Sequence, residues 1–241
     1  MIRDLAATVA AELLKLRGLP VVLVTMLGSV AAAITLAAAI AASPTGAATD
    51  AVDVTLGTIP FLQIGPILLG VLSVSTEYAG GQIRSTLIAV PNRPLLLAGK
   101  TGAYLVAAAT TCAAALSAGL GTAWIALTVR HGTPTADPNG WPVLGAAAYL
   151  VLIGLLGHAV TVLTRDLVPA LVTMLGLVLI ASPLLSGLTE HARYLPDRAG
   201  SLLYHPDADA VLTPGTGTLV LLAWITATGT AAVISFFSRD A

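Results

Sequence analysis

The sequence predicts an all-α integral membrane protein with six transmembrane helices. Two observations lead to this fold class. Hydrophobic residues make up 56% of the 241 residues and charged residues only 10%, whereas soluble domains carry roughly 25% charged residues. The apolar residues are also gathered in long uncharged runs, and a bilayer core needs about 20 such residues per helix. So much apolar surface is stable only when lipid covers much of it.

The uncharged runs place the six spans in chain order. They cover residues 19–42, 54–76, 101–129, 141–164, 167–189 and 210–238, and His158 lies inside the fourth. The first run is longer than the roughly 7–15 apolar residues of a signal peptide, so we expect a retained span. Little chain remains outside the runs, so we expect one transmembrane domain over 1–241 and no enzymatic domain. The net charge of −1 gives no reason to expect a nucleic-acid partner.

The loops between the spans carry an uneven share of the basic residues. One side holds Arg3, Lys15, Arg17, Arg84, Arg93, Lys100, Arg165 and Arg239, and the other holds Arg130, Arg193 and Arg198. Because cytoplasmic loops are enriched in Lys and Arg, we expect a protein of the cell membrane with both termini in the cytoplasm. The loop at 77–100 is then cytoplasmic, and the loop at 190–209 is extracellular.

The segment before the first span has the pattern of an amphipathic helix over residues 1–17. Its apolar residues recur at three- and four-residue steps, at Ile2, Leu5, Val9, Leu13 and Leu16. A polar line formed by Asp4, Thr8 and Glu12 follows another face, with Lys15 nearby. We expect this helix to lie in the cytoplasmic membrane interface, before a turn at Gly18 and Pro20. The alternative is that it extends the first span into water.

The loop at 77–100 contains two fragments that suggest nucleotide binding, "AGGQ" and "AGKT". Neither fits. A phosphate-binding loop requires glycine six positions before the "GK" lysine, and Pro94 stands there. The "AGGQ" fragment lacks the preceding Leu-Ser of an ATP-binding cassette signature. We therefore read Lys100 as a charge at the cytoplasmic end of the third span. Residues 82–89 form a short amphipathic pattern that ends at Pro91 and Pro94, so the loop is either a docking helix or only an anchored connection.

The stretch "EYAGGQIRSTLIAVPNRPLLLAGK" resembles the cytoplasmic loop of the membrane subunits of type-2 ABC exporters. The matching residues are Glu77, Tyr78, Ile83, Arg84, Ser85, Thr86, Leu87, Pro91, Arg93 and Lys100. The six-span layout, the N-terminal amphipathic helix and the longer loop before the last span are similar as well. The resemblance therefore extends over essentially the whole chain.

The resemblance implies a permease subunit that is driven by a separate ATPase. Two permease subunits, identical or paralogous, would pair around a path, and two cytoplasmic ABC ATPase subunits would dock on them. This chain would hold no cofactor, because ATP and Mg²⁺ would bind to the ATPase. The coupling helix after the second span would contact the ATPase, and residues from Glu190 to Pro214 would form short re-entrant outer helices. The coupling residues implied are Glu77, Tyr78, Gln82, Ile83, Arg84, Thr86, Leu87 and Arg93.

Few polar side chains lie deep in the predicted spans. As drawn, the spans contain no Asp, Glu, Lys or Arg, although ion-coupled carriers place such residues inside their spans. An external energy source is therefore favoured over the alternative of a self-sufficient carrier, channel or scaffold. His158 and Gln63 are candidate substrate-path residues, and for each the alternative is a hydrogen-bonded packing residue. Uncharged spans suit a hydrophobic or amphipathic substrate such as a drug, an antibiotic peptide or a lipid.

The extracellular loop carries several residues of metal-ligating types. They are Glu190, His191, Asp197, His205, Asp207 and Asp209. Their spacing matches no compact metal-binding motif. We therefore predict no metal site, and we interpret these residues as a solvated acidic loop.

Overall fold

The computed structural model describes residues 2–43, 50–79, 92–131, 140–209 and 211–238. Within these ranges 89% of the residues are helical and there are no strands. The α-helices are α1 (Ile2–Gly18), α2 (Pro20–Ala42), α3 (Ala51–Leu62), α4 (Ile64–Ala79), α5 (Arg93–His131), α6 (Trp141–Thr164), α7 (Leu167–Leu175), α8 (Ser182–Ser186), α9 (Pro196–Ser201) and α10 (Pro214–Ser238). A π-helical segment, Gly176–Ala181, joins α7 to α8, and a 3₁₀ turn, Glu190–Tyr194, precedes α9.

Among the described residues, six segments are long and apolar enough to cross a membrane. In chain order, spans 1 to 6 are Pro20–Ala42, Ala51–Tyr78, Arg93–Arg130, Trp141–Thr164, Leu167–Ser186 and Pro214–Phe237. The predicted class, an all-α multi-pass membrane protein, is confirmed by these helices. The helices of spans 2 and 3 extend beyond the predicted limits of 54–76 and 101–129. The reason lies in the polar residues at their ends.

Polar caps set where several helices begin. The Asp50 carboxylate accepts a hydrogen bond from the Val52 amide at 3.0 Å, and Asp166 does the same for Val168 at 3.0 Å. The Asn92 side chain accepts from the Leu95 amide at 3.1 Å, and Pro94 follows in the first turn, where proline is tolerated. These residues satisfy amide groups that a helix start leaves without partners. Helix α5 therefore starts at Arg93, seven residues before Lys100.

Spans 2 and 4 form the centre of the packing. Their backbones approach closely because glycine is present on both: a Cβ added to Gly70 would lie 2.2 Å from the Gly154 carbonyl oxygen. A Cβ on Gly154 would lie 2.4 Å from the Pro66 carbonyl oxygen. Ile67 and Ile153 are fully buried beside this crossing. Large apolar side chains on spans 1, 5 and 6 are exposed, among them Leu27, Val172 and Leu219, as expected of surface that faces lipid.

Contacts between helix ends show that successive spans run in opposite directions. At one end, which we call the α1 side, Lys15 of α1 reaches Glu77 at the end of span 2, and Arg165 before span 5 reaches the Ser235 carbonyl of span 6. At the other end, Arg130 of span 3 donates to the Ala42 carbonyl of span 1 at 2.7 Å. We call this end the loop side, because residues 190–209 lie there between spans 5 and 6.

Span 5 is not a uniform α-helix. Its middle, Gly176–Ala181, is π-helical, and Pro183 follows two residues later. Proline has no N–H to donate and its ring crowds the carbonyl four residues earlier. A π-helical turn relieves such crowding by widening the helix. Span 2 is interrupted for one residue at Gln63, between Pro60 and Pro66.

The segment between spans 5 and 6 contains the 3₁₀ turn Glu190–Tyr194 and the short helix α9. Helix α9 packs against spans 4 and 6 with Pro196, Ala199 and Gly200 buried. A Cβ added to Gly200 would lie 2.7 Å from the Tyr149 ring, and a Cβ on Gly217 would lie 2.4 Å from the Ala199 carbonyl oxygen. Small residues therefore allow α9 to sit directly on the starts of both spans.

Candidate functional site

Four charged residues from three parts of the chain meet on the α1 side. The Lys100 ammonium lies 2.8 Å from Glu12 Oε2 and 2.7 Å from Glu77 Oε2, and the Lys15 ammonium lies 2.6 Å from Glu12 Oε1 and 3.1 Å from Glu77 Oε1. Glu77 Oε2 has no hydrogen-bond partner among the described residues, so its contact with the Lys100 ammonium is an ion pair only. Glu12, Glu77 and Lys100 are buried, whereas the Lys15 side chain is 45% exposed. We call this set the charge cluster.

Glycines on span 3 let α1 come close enough to form the charge cluster. A Cβ added to Gly99 would lie 2.4 Å from Thr8 Cγ2, and a Cβ on Gly102 would lie 2.8 Å from Val9 Cγ2. Helix α1 therefore lies in a notch on span 3, next to Lys100. Its buried residues are Thr8, Glu12 and Leu16, so the polar line of α1 faces the protein. The sequence assigned Thr8 and Glu12 to a polar face without a partner, and the structure turns both toward span 3.

The charge cluster favours the charged forms of Glu12 and Lys15. Burial acts to raise the pKa of Glu12, but the charge of Lys100 and the hydrogen bonds from Lys100 and Lys15 outweigh it and lower that pKa. Burial acts to lower the pKa of Lys15, but its hydrogen bonds to Glu12 and Glu77 raise it. Because the folded-state pKa of Glu12 is lowered, its stabilising contribution is present above pH 4.5 and is lost as the pH falls through the lowered value.

His158 of span 4 is buried against spans 2 and 3. Its Nδ1 is 2.9 Å from the Ser73 hydroxyl and its Nε2 is 3.3 Å from the Thr101 hydroxyl. The ring stacks on Tyr104 at 5.5 Å between centroids. Both ring nitrogens therefore have a partner, as expected of a packing residue. One side of the ring lines an apolar cavity of about 220 Å³ between spans 3, 4 and 6.

Gln63 is the other polar residue that the sequence placed on a substrate path. Its amide nitrogen donates to the Pro60 carbonyl at 2.7 Å, and its Oε1 accepts a hydrogen bond from the Tyr149 hydroxyl. The amide thus occupies the interruption of span 2 and ties it to span 4. Gln63 is buried. These contacts favour the reading of Gln63 as a residue that joins two helices.

The end of span 6 is held on the α1 side by two arginines. Arg165 donates to the Ser235 carbonyl at 2.9 Å, and Arg93 donates to the Phe236 carbonyl at 3.4 Å. Cations are favourable here because the last carbonyls of a helix lack intrahelical partners. The Arg165 guanidinium also lies 5.9 Å from the centre of the Tyr78 ring. Tyr78 and Arg93, both predicted coupling residues, therefore belong to the contacts among spans 2, 3 and 6.

The predicted coupling residues fall into two groups. Glu77, Tyr78 and Arg93 are described, and all three lie at helix ends on the α1 side, near the charge cluster or the end of span 6. The other five, and the predicted coupling helix at 82–89, lie outside the described residues: Gln82, Ile83, Arg84, Thr86 and Leu87. The structure thus places the two ends of the loop close together.

Sequence reasoning missed the partners that make Glu77 part of a cluster. Glu12 and Lys15 were assigned to a polar face of α1, and Lys100 to the end of span 3, without a link between them. A signal was present: "AGKT" places two small residues, Ala98 and Gly99, directly before a lysine at a helix packing position. Small residues mark positions where another helix approaches, and a lysine beside them requires a carboxylate partner.

Within the described ranges, no three His, Cys, Asp or Glu side chains converge as metal ligands would. Comparison with known proteins assigns no family, since no family model and no curated protein matches the chain.

Proposed function

We propose that this chain is the permease subunit of a type-2 ABC exporter. In this proposal two permease subunits form the substrate path, and two separate cytoplasmic ATPase subunits supply the energy. The α1 side faces the cytoplasm together with both termini, α1 lies in the membrane interface, and residues 82–89 form the coupling helix. The short helices between spans 5 and 6 dip back toward the outer membrane surface. The substrate is a hydrophobic or amphipathic molecule.

The charge cluster is the observation that carries the proposal. It joins α1 to Glu77, where the chain leaves span 2, and to Lys100, near the start of span 3. The loop that resembles the exporter coupling loop lies between these two residues. A push on that loop would therefore act on three helices that are tied together. Such a rigid base is what a permease requires if an ATPase is to move its spans.

The alternative, a self-sufficient ion-coupled carrier, is less well supported. Its charged residues would have to change partners or protonation deep in the membrane. Lys100 and Glu77 pair with each other at one end of the spans, and His158 has hydroxyl partners on both ring nitrogens. These pairings favour a structural role. The polar groups at depth therefore serve packing in this proposal.

Partner identification tests the proposal directly. The chain is extracted gently from its native membrane with a C-terminal tag, and the proteins that co-purify in equal amounts are identified. We expect a soluble protein of roughly domain size, about 200–300 residues, that contains a phosphate loop and an ABC signature motif. Recovery of a stable oligomer of this chain alone would contradict the exporter proposal and favour a carrier or channel.

Charge reversal in the loop tests the assignment of the coupling residues. Because the resemblance implies that Arg84 contacts the ATPase, Arg84→Glu is expected to reduce ATPase co-purification at least tenfold, while the yield and melting temperature of the chain stay unchanged. The control is Asp207→Lys, which reverses a charge at an exposed residue on the loop side. Full ATPase binding and transport by the Arg84→Glu variant would remove Arg84 from the contact.

A further inference from the structure

The apolar cavity of about 220 Å³ between spans 3, 4 and 6 has two polar residues in its wall, Thr101 and His158. The rest of the described lining consists of apolar residues and one glycine. A groove of about 490 Å³ continues from the cavity along spans 3 and 6, because Leu97, Thr101 and Val233 line both spaces. Val233 and Phe237, which line this groove, are exposed. The cavity can therefore be entered from the membrane.

The hydrogen bonds around His158 assign its proton to one ring nitrogen. The Ser73 hydroxyl oxygen lies 2.7 Å from the Gly70 carbonyl oxygen. Two oxygens this close share a proton, and the hydroxyl is the group that carries one. Ser73 Oγ therefore accepts a hydrogen bond from His158 Nδ1, which lies 2.9 Å away. Burial disfavours the charged imidazolium, and a neutral imidazole has one N–H. The proton is thus on Nδ1, and Nε2 presents a lone pair.

The hydroxyl beside Nε2 has already given its proton elsewhere. Thr101 Oγ1 donates to the Leu97 carbonyl at 2.9 Å and lies 3.3 Å from His158 Nε2, so the carbonyl is the closer acceptor. A bond of this kind, to the carbonyl one turn earlier, is common for threonine in a helix. Nε2 therefore has a hydroxyl neighbour but receives no proton from it. A buried acceptor without a donor is costly, and a ligand that supplies the donor removes that cost.

The lining and the volume of the cavity define the ligand. A dry cavity of about 150 Å³ in another protein holds benzene, so this cavity has room for a ring with a short alkyl chain. A single water molecule, which occupies about 30 Å³ in the liquid, would leave most of the space empty. The described lining contains no charged side chain, so a neutral molecule is favoured over an ion.

We propose that this cavity binds a small neutral alcohol or phenol that enters from the bilayer, with His158 Nε2 as the acceptor of its hydroxyl proton. The apolar part of the ligand fills the space between spans 3, 4 and 6, and its hydroxyl lies beside Thr101. His158 keeps its packing role through Nδ1 and Ser73. The inference is independent of the exporter proposal, because the site requires no ATPase and binding is measured on the purified chain.

Nitrogen NMR of the chain labelled on histidine, in lipid nanodiscs, tests the tautomer and the ligand together. The probes are para-propylphenol and its methyl ether, which has a similar shape but no donor. The His158 signals are identified by their absence in His158→Phe. We expect an unprotonated Nε2 whose signal moves when the phenol is added and stays in place with the ether. A protonated Nε2 in the free chain, or an equal response to both probes, overturns the proposal.

A second variant keeps the test decisive if His158→Phe does not fold. Gly229 lines the cavity, and nothing lies within 4 Å of a Cβ added there, so Gly229→Leu fills the cavity and leaves His158 in place. The parent should bind the phenol about tenfold more tightly than the ether, and Gly229→Leu should lose this preference. Gly121→Leu is the matched control, because Gly121 is an exposed helix glycine outside the cavity with equally open surroundings. Retention of the preference in Gly229→Leu, or its loss in both variants, overturns the site.

Discussion

Lys100 shows how much a single residue contributes to the α1 side. It lies about 10 Å along α5 from the start of that helix, given the 1.5 Å rise per residue. Its ammonium stands between two buried carboxylates, Glu12 and Glu77. Without that cation, two negative charges would remain buried near each other, and each would be costly to keep ionised. Lys100 is therefore the residue on which the charge cluster depends.

Removal of the Lys100 charge tests this dependence. Lys100→Met keeps most of the side-chain volume but leaves Glu12 and Glu77 with only the Lys15 ammonium as a cationic partner. The loss of one member of a buried ion pair costs about 3–5 kcal/mol, so we expect a large drop in melting temperature in detergent. Lys15→Met is the matched control, because the Lys15 side chain is 45% exposed and exposed pairs contribute at most about 1 kcal/mol.

A double variant separates charge from packing. Glu12→Gln removes one of the two carboxylates, so the Glu12→Gln, Lys100→Met variant is expected to recover part of the stability that Lys100→Met loses. If Lys100→Met and Lys15→Met have equal effects, the buried position of Lys100 has no special importance. If the double variant loses more stability than the two single variants lose together, the loss arises from packing.

Asp197 gives a pH-dependent prediction on the loop side. The carboxylate is buried, and burial raises its pKa above 3.8 despite opposition from Ser182 and Arg198. Within the described residues its Oδ1 has no hydrogen-bond partner. A raised carboxyl pKa means that the ionised form is disfavoured in the folded state. The cost is complete above the folded-state pKa and disappears as the pH falls toward 3.8.

Asp197→Asn removes this cost without a large change in shape. We expect the variant to melt a few degrees above the parent at pH 7, at about 2–4 °C per kcal/mol for a chain of this size. The difference should shrink as the pH is lowered toward 4, since the parent carboxyl is then protonated. Asp207→Asn, at an exposed position, should show no such trend. A difference that does not vary with pH would mean that burial of the charge is not its cause.

At the scale of elements, the "AGKT" fragment resembles part of a phosphate-binding loop but serves to join helices. Gly99 lets α1 approach span 3, Lys100 binds the carboxylates of α1 and span 2, and Thr101 contacts His158 of span 4 at 3.3 Å. Three consecutive residues thus join span 3 to three other helices. The sequence excluded a phosphate-binding loop because of Pro94, and the structure supplies the reason for these residue types at this position.

The crossing of spans 2 and 4 depends on glycine, and Gly154→Ala tests this. A Cβ at residue 154 would lie 2.4 Å from the Pro66 carbonyl oxygen and 2.2 Å from the Tyr104 hydroxyl. Because one of these atoms belongs to the backbone, the helices must move apart. Overpacking of this kind costs about 1–3 kcal/mol, and we expect a matching fall in melting temperature.

Gly121→Ala is the control for that experiment. Gly121 also lies inside a helix, but nothing lies within 4 Å of an added Cβ. Alanine is favoured over glycine in a helix by about 0.5–1 kcal/mol, so this variant should be as stable as the parent or slightly more stable. Equal behaviour of the two variants would show that spans 2 and 4 do not require close contact at Gly154.

At the scale of the whole molecule, the orientation in the membrane is open to a direct test. Cys112 is buried and is replaced by alanine to give a background without reactive thiols. Single cysteines are then introduced by Arg17→Cys on the α1 side and Asp207→Cys on the loop side. A membrane-impermeant maleimide should label residue 207 in intact cells and residue 17 only after the cells are permeabilised. The opposite pattern would contradict the charge-based orientation.

The number and order of the spans followed from sequence because hydropathy is a local property. A run of about 20 apolar residues that crosses lipid forms a helix, because the hydrocarbon core offers its backbone N–H and C=O groups no hydrogen-bond partners. The re-entrant outer helices between spans 5 and 6 were implied only by the resemblance and stay a prediction. The loop residues from Gln82 to Leu87 lie outside the described residues, so their coupling role stays a prediction.

The charge cluster was decided by tertiary structure alone. Glu12, Lys15, Glu77 and Lys100 are separated by up to 88 residues, and each is locally readable as a charge at a membrane surface. Which carboxylate meets which ammonium depends on how α1 and spans 2 and 3 pack, and that packing depends on glycines whose partners lie far away in the chain. Sequence by itself determined an all-α protein with six apolar spans, because that information is contained in consecutive residues. The buried ion pairs and the partners of His158 and Gln63 depend on distances between helices, which no single stretch of the chain contains.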